Sequence, residues 1–180
     1  MRKPRLILLN GFAGSGKTTI GKEYINEHPL TLLIEGDELI VNIGQWLSNE
    51  LEARSHVFEL TKAMTKTHLA VGRDVVLPYL VVDASHVISF EQIATSYGAD
   101  FYEFLVFNGK DTAIERLMKR GTWGEAGQDP LTEKDKPVIE ALYDTMESQL
   151  EHRKDAVRIV MDGKTVEAVY DELKGYLKNS

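Results

Sequence analysis

Cysteine is absent from the 180 residues of the sequence, which excludes disulfide bonds and thiolate metal sites. Long hydrophobic runs are also missing, and the apolar run Leu6–Leu9 is too short for a signal peptide or a membrane span. Lys and Arg number 21 against 28 Asp and Glu, a net charge of −7, and they form no basic block. These absences predict a cytoplasmic protein that binds neither nucleic acid nor a membrane.

Short apolar runs alternate with stretches of helical periodicity along the chain. Such alternation is typical of an α/β protein with a parallel sheet. The composition is that of a globular domain, and the sequence has no internal repeat or low-complexity tract. We therefore predict one domain over residues 1–180. The predicted strands are Arg5–Asn10, Thr31–Glu35, Asp74–Tyr79, Phe101–Phe107 and Ala156–Met161.

Helical periodicity predicts helices between these strands. Ser89–Gln92 has the form of a capping box and predicts a helix start at Ser89. Ser55 is a candidate cap for an earlier helix. The full predicted set is Lys17–Asn26, Glu38–Glu52, a segment from Ser55 through Val71, Ser89–Tyr97, Asp111–Arg120, a segment from Thr132 or Asp135 to Leu150, and one from Thr165 through Tyr176.

Residues Gly11–Thr18 match the pattern G-x-x-x-x-G-K-[ST], follow an apolar strand and open a helix. Glycines let successive backbone N–H groups turn inward around phosphates, and the helix N-terminus adds partial positive charge. Lys17 is predicted to contact the β- and γ-phosphates, and the Thr18 hydroxyl to ligate Mg²⁺. A glycine-rich turn without a ligand is the weaker alternative. The predicted nucleotide-binding residues are Gly11, Ala13, Gly14, Ser15, Gly16, Lys17, Thr18, Thr19 and, from a later helix, Arg116.

A phosphate-binding loop alone leaves a kinase, a GTPase switch and an ATP-driven machine open. A GTPase switch needs the sequence D-x-x-G, and no Asp in this chain has Gly three positions later. Asn108–Asp111 differs from the guanine-reading N-K-x-D because its Lys stands third, so we interpret it as a loop and helix cap. ATP is therefore the default nucleotide, with GTP left open.

Glu35-Gly36-Asp37 follows the second predicted strand, at the end of a parallel sheet where ligands gather. If this strand lies near the first, Asp37 faces the γ-phosphate from the acceptor side. We predict that Asp37 orients an acceptor hydroxyl and takes its proton, while Glu35 holds a water on Mg²⁺. Helix capping by Asp37 and a plain strand end at Glu35 are the alternatives.

Arg116 and Arg120 lie four residues apart on a predicted helix and therefore share one face. Guanidinium groups form bidentate contacts with phosphoryl oxygens, so Arg120 is predicted to be catalytic together with Lys17 and Asp37. The alternative is that both arginines lie at a solvent-exposed helix C-terminus, where their positive charge interacts favourably with the helix dipole. The glycine-rich segment 121–131 is predicted to be a lid that excludes water, or else a disordered connector.

The chain resembles the small P-loop kinases, which include gluconate kinase, shikimate kinase, chloramphenicol phosphotransferase and the adenylate kinase group. Gly11–Thr18, Glu35–Asp37 and Arg116–Arg120 carry this resemblance. It implies a three-layer α/β fold with a five-stranded parallel sheet of order 2-3-1-4-5, helices on both faces and a short lid. It also implies that Arg116 lies against the adenine or phosphates, Arg120 at the base of the lid, and Asp162–Lys164 beside the adenine.

The acceptor pocket departs from the kinases it resembles. Gly36–Leu39 is similar to a gluconate kinase segment, but Ile40 replaces the histidine that follows there, and Leu77–Tyr79 replaces Ser-Ala-Leu. The resemblance therefore names no acceptor. The predicted walls are Ile40, Trp46, Arg54, Pro78 and Tyr79, with core packing preferred for Trp46, and Arg54 and Arg153 are candidate anchors for an anionic substrate.

These observations predict an ATP- and Mg²⁺-dependent kinase that phosphorylates a hydroxyl of a small molecule, as a monomer or a homodimer. A nucleoside or nucleotide kinase would use the same core with a base-binding pocket. A module that binds nucleotide and a partner but transfers nothing is a further alternative. Competition by nucleosides rather than sugars distinguishes the first alternative, and partner capture only in the nucleotide-bound state distinguishes the second.

Nucleotide binding is the first consequence that can be tested. Calorimetric titration with ATP and Mg²⁺ should show saturable binding, because backbone amides and Lys17 neutralise phosphate charge. If neither ATP nor GTP binds with Mg²⁺ present, the interpretation of Gly11–Thr18 is wrong.

Overall fold

The computed structural model describes residues 2–178 and contains a five-stranded parallel sheet. The strand order is β2-β3-β1-β4-β5, and each neighbouring pair runs parallel. The predicted fold class and strand order are therefore confirmed. The strands are β1 (Arg5–Asn10), β2 (Leu32–Leu33), β3 (Val75–Tyr79), β4 (Asp100–Phe107) and β5 (Val157–Val160).

Helices cover both faces of this sheet because the strands are apolar on both sides. Ile7 and Leu9 of β1 face one layer, and Leu6 and Leu8 face the other. The first layer consists of α1 and α7, and the second of α3 and α4 beside α5 and α6. The helices are α1 (Lys17–Glu27), α2 (Gly36–Ile40), α3 (Glu50–Ala70), α4 (Ala84–Ser96), α5 (Lys110–Arg120), α6 (Lys136–Leu150) and α7 (Val166–Lys178).

The predicted helix Glu38–Glu52 is wrong, because the structure divides this region. Helix α2 ends at Ile40, a short 3₁₀ turn covers Trp46–Asn49, and α3 begins at Glu50. Gln45 adopts a left-handed backbone with φ of 55°, which no helix accommodates. The break lets Trp46 turn inward to pack with Ile40, so its predicted core role is confirmed.

The predicted helix starts at Ser55 and Ser89 are also wrong, since both residues lie inside longer helices. Helix α4 begins instead after Asp83, whose Oδ1 accepts a hydrogen bond of 2.8 Å from the Ser85 backbone N–H. An Asp cap at this place satisfies a free N–H of the first turn and leaves Ser89 to bond the His86 carbonyl. Strand β2 is shorter than the predicted Thr31–Glu35.

Glu103 lies buried in the middle of β4, where its charge needs a partner. Arg153, after α6, donates to Glu103 Oε2 from Nε at 3.0 Å and from Nη2 at 2.8 Å. Asn10 Nδ2 lies 3.3 Å from the other carboxylate oxygen. Arg153 is therefore a structural partner of the sheet, and its candidate role as a substrate anchor is wrong.

Replacing this arginine tests the structural role. Arg153→Met should lower the free energy of unfolding by about 3–5 kcal/mol, because Glu103 stays buried without a cation. Urea denaturation followed by circular dichroism measures the change. Lys3→Met, which removes the exposed pair of Lys3 with Asp100 at 3.4 Å, is the control and should cost at most about 1 kcal/mol. Equal losses in both variants would contradict the assignment.

Candidate functional site

The phosphate loop between β1 and α1 is held against β4 at its first residue. A Cβ atom on Gly11 would lie 2.2 Å from the Val106 carbonyl oxygen, and its φ is 153°. Only glycine allows the chain to pass this close to the sheet. The hydroxyl of Ser15 is buried beneath the loop and has no hydrogen-bond partner among the described residues. The loop is thus a tight cradle at the carboxyl end of β1.

Lys17, the first residue of α1, folds its ammonium group back across this cradle. Its Nζ donates to the carbonyl oxygens of Gly11 and Phe12, each at 2.7 Å. Burial lowers the pKa of Lys17 to about 8, the positive charge of Arg120 acts in the same direction, and Asp37 opposes both. The cradle therefore holds a cation that Asp37 compensates only in part, which suits a phosphate-binding site.

Thr18 and Thr19 follow Lys17, and both line the cavity above the loop. Residues 2–178 contain no cluster of three or more His, Asp or Glu side chains that could hold a metal ion alone. Mg²⁺ at nucleotide sites is usually held by one or two protein ligands together with phosphates and water. The Thr18 hydroxyl fits that donor set, whereas Glu35 turns toward Lys22, with 3.6 Å between Oε1 and Nζ.

Asp37 lies in the first turn of α2, four residues after the end of β2 at Leu33. The pKa of its carboxyl is raised, because the cavity walls remove part of its hydration and Glu125 adds negative charge. Lys17, Arg54 and Arg120 act in the opposite direction. Gly36 lets α2 approach β3, since a Cβ there would lie 2.2 Å from the Tyr79 hydroxyl oxygen. This contact holds Asp37 beside the phosphate loop.

Arg120 ends α5 and lies at the start of segment 121–131. Its Nε donates to the Thr122 carbonyl oxygen at 2.8 Å, and its Nη2 donates to that of Trp123. Arg116 is exposed one turn earlier, with its Cβ 4.0 Å from the position of a Cβ on Gly14. The structure thus brings Arg120 to the cavity that Lys17 and Asp37 line, while Arg116 lies outside it, beside the loop.

Segment 121–131 is folded over the cavity by three contacts. The Leu131 N–H donates to the Gly121 carbonyl at 2.8 Å and closes the base of the segment. The ring of Trp123 packs edge-on against Phe12, with centroids 6.5 Å apart. The third contact is an ion pair from Glu125. These contacts favour a folded segment over the alternative of a disordered connector.

Glu125 is a site residue that the motifs do not predict. Its side chain is 5% exposed, and Arg54 of α3 donates to it at 2.9 Å. The same guanidinium contacts Glu50 at 2.7 Å. The sequence signals Glu125 only as an acidic residue within a glycine-rich segment. No sequence pattern indicates that its partner is Arg54 on α3.

Two adjoining cavities form at this edge of the sheet. We call the larger, of about 580 Å³, the phosphate cleft; it is lined by Ala13, Gly14, Gly16–Thr19, Gly36, Asp37, Glu50, Arg54, Pro78–Leu80, Arg120, Trp123, Glu125, Gln128 and Leu142. We call the smaller, of about 410 Å³, the side pocket; it is lined by Gly36, Asp37, Ile40, Arg54, Ser55, Val57, Phe58, Tyr79–Val82 and His86. Asp37 lies at their boundary because it lines both cavities.

The predicted acceptor walls divide between these cavities. Ile40 lines the side pocket, Pro78 lines the phosphate cleft, and Arg54 and Tyr79 line both. Trp46 lines neither.

The turn Asp162–Lys164 packs on the loop after β4. Asp162 accepts from the Gly109 N–H at 2.6 Å and from Asn108 Nδ2 at 3.2 Å, and these bonds lower its pKa. Asn108 thus belongs to a contact between two loops. The predicted place of this turn beside the adenine stays a prediction.

The sequence matches the family described as AAA domain over residues 6–152. No curated protein sequence matches the chain significantly. No helix within residues 2–178 is both long and apolar enough to cross a bilayer.

Solved structures with the same fold include small kinases. The APS kinase CysC of Mycobacterium tuberculosis, in complex with AMPPNP and APS, is 14% identical with a TM-score of 0.65 over 99% of both chains. A gluconokinase from Sinorhizobium meliloti 1021 is 17% identical with a TM-score of 0.58, over 99% of this chain and 98% of the other. These similarities confirm the fold predicted from the resemblance to small P-loop kinases.

A chain of the Pnkp1/Rnl/Hen1 RNA repair complex is also similar, with 15% identity and a TM-score of 0.67. The alignment covers 87% of this chain and 48% of that one, so this chain spans about half its length. At such identity the likeness shows a shared fold.

The lowered pKa of Lys17 has a consequence for nucleotide binding. Above about pH 8 the free protein loses the Lys17 proton, whereas the phosphates of bound ATP favour the protonated form. Binding should therefore take up a proton, and affinity should fall by up to about tenfold per pH unit above this pKa. Calorimetry at about pH 9 in two buffers of different ionisation enthalpy measures the uptake.

Lys17→Arg is the matched control, because a guanidinium stays protonated at this pH. Proton uptake should disappear in this variant, even if binding weakens. Uptake of the same size in both proteins would assign the proton to another group and contradict the role given to Lys17.

Proposed function

We propose that this chain, which belongs to the AAA domain family, is an ATP-dependent kinase that transfers the γ-phosphoryl group to a hydroxyl of a small molecule. The observation that carries the proposal is the position of Asp37. This carboxylate lies at the boundary between the phosphate cleft, which holds Lys17, and the side pocket. An acceptor in the side pocket would have Asp37 between itself and the nucleotide.

The phosphate cleft supplies the electrostatic part of the reaction. Lys17 and the loop amides would hold the β- and γ-phosphates, and the Lys17 ammonium would exchange its carbonyl contacts for phosphate oxygens. Thr18 would ligate Mg²⁺, which neutralises charge on the phosphates when bound. Arg120, which points to the cavity from the base of segment 121–131, would stabilise charge on the transferred group.

Asp37 would act on the acceptor hydroxyl. It accepts the hydroxyl hydrogen bond and directs the oxygen at the γ-phosphorus, in line with the leaving oxygen of ADP. The new bond joins the acceptor oxygen to phosphorus, the bond to ADP breaks, and the hydroxyl proton passes to Asp37. Its raised pKa suits this role, because a more basic carboxylate takes a proton more readily.

Segment 121–131 would serve as the lid. Its contacts through Trp123 and Glu125 close it over the cleft. A closed cover keeps water from taking the phosphoryl group in place of the acceptor.

Asp37→Asn tests the proposal. The amide keeps the shape of the side chain but takes up no proton, so transfer should fall by about 10²–10⁴ while ATP affinity stays nearly unchanged. Incubation with γ-labelled ATP, Mg²⁺ and a small-molecule extract measures transfer, and calorimetry measures affinity. Glu38→Gln, at the neighbouring exposed position outside both cavities, is the control and should keep the parent rate.

Transfer at the parent rate by Asp37→Asn would contradict the role of Asp37 in orienting the acceptor hydroxyl and taking its proton. ATP binding without label transfer to any compound would instead favour a nucleotide-dependent binding module.

A further inference from the structure

We propose that the phosphoryl acceptor is an uncharged hydroxyl compound with an apolar body, bound in the side pocket. The inference rests on the proposed kinase function and adds the chemical class of its substrate. Three features of the pocket carry it: apolar walls, an arginine that is already paired with carboxylates, and a lining with few other polar side chains.

The walls of the side pocket are mainly hydrocarbon. Ile40, Val57 and Val81 are buried side chains of its lining, and the ring of Phe58 forms another wall. His86 lies against Phe58, with ring centroids 4.2 Å apart. Surfaces of this kind stabilise an apolar ligand by removing it from water, and they offer few hydrogen bonds to a compound that carries hydroxyl groups on every carbon.

Arg54 is the only Lys or Arg side chain that lines the side pocket among the described residues. Its guanidinium is paired with Glu50 at 2.7 Å and with Glu125 at 2.9 Å. Glu50, Glu125 and Asp37 outnumber this one guanidinium, so an anionic acceptor beside Arg54 would meet net negative charge. Like charges at such distances disfavour binding, so the pocket selects against acids.

A cationic acceptor is also disfavoured. Glu50 and Glu125 line the phosphate cleft and not the side pocket, so Asp37 is the carboxylate that a cation in the side pocket would meet among the described residues. An ammonium group paired with Asp37 would take the place that the acceptor hydroxyl needs. Elsewhere in the pocket it would lose hydration against hydrocarbon without gaining a partner.

The remaining polar groups suit a small number of hydroxyl or carbonyl groups. The Tyr79 hydroxyl, 3.1 Å from Thr61 Oγ1, and the Ser55 side chain lie at the pocket lining. The volume of the side pocket, about 410 Å³, is within the range of roughly 300–1,000 Å³ for small-molecule sites. The pocket thus accommodates a compact apolar body with one hydroxyl directed at Asp37.

A fractionated acceptor pool tests the inference. A small-molecule extract is separated by ion exchange into acids, bases and neutral compounds, and the neutral compounds are divided on an apolar resin. Each fraction is incubated with the protein, γ-labelled ATP and Mg²⁺. Label should come from the neutral fraction retained on the apolar resin, at least about tenfold above any other fraction.

Label mainly in the acids, the bases or the neutral compounds that pass the resin would overturn the inference while leaving the kinase proposal intact. Label in no fraction, with ATP binding intact, would overturn the kinase proposal, and this inference would fall with it.

Glu50→Gln tests the role of charge compensation directly. This change leaves the contact between Arg54 and Glu125 in place but frees part of the guanidinium charge, so the share of label in the acid fraction should rise several-fold. Glu52→Gln, an exposed position on the same helix that lines neither cavity, is the control and should leave the distribution unchanged. An unchanged distribution in Glu50→Gln would overturn the account of Arg54.

Discussion

The contact of the Lys17 ammonium group with the phosphate loop is the interaction on which the site depends. The loop carbonyls of Gly11 and Phe12 hold this cation in place. They can do so only because Gly11 passes against Val106 without a side chain. Burial removes hydration from this ammonium group and thereby lowers its pKa. The folded loop is therefore prepared for an anion before one arrives, and this preorganisation is a main source of electrostatic catalysis.

The second organising contact joins segment 121–131 to α3. Glu125 is buried on that segment, where its carboxylate pairs with the guanidinium of Arg54. The pair closes the segment over the phosphate cleft and at the same time removes the free positive charge from the side pocket. The closed segment and the selectivity that we propose thus have one physical origin. Asp37, between the two cavities, is affected by both sets of charges.

Local patterns predicted those parts of the structure that depend on neighbours in sequence. Gly11–Thr18 needs only a strand before it and a helix after it, and the apolar runs placed β1, β3, β4 and β5 nearly where they lie. The predictions were wrong where tertiary packing determined the bounds of a helix. The helix predicted from Glu38 breaks at the left-handed Gln45, and Trp46 then packs in one buried cluster with Ile40. Helix α4 begins at Ala84 rather than Ser89, since Asp83 caps its first turn by accepting from the Ser85 N–H.

By itself, the sequence determined the phosphate loop, the α/β alternation and the acid after the second strand, since each is a pattern of residues close together in the chain. Only the tertiary structure decided the partners of charged side chains. Arg153 and Arg54 carry the same charge, and both stand among polar neighbours in the sequence. In the structure, however, Arg153 pairs with Glu103 of the sheet, whereas Arg54 pairs with Glu125 of segment 121–131. Such pairing depends on which distant carboxylate is buried within reach, and that distance exists only after the chain has folded.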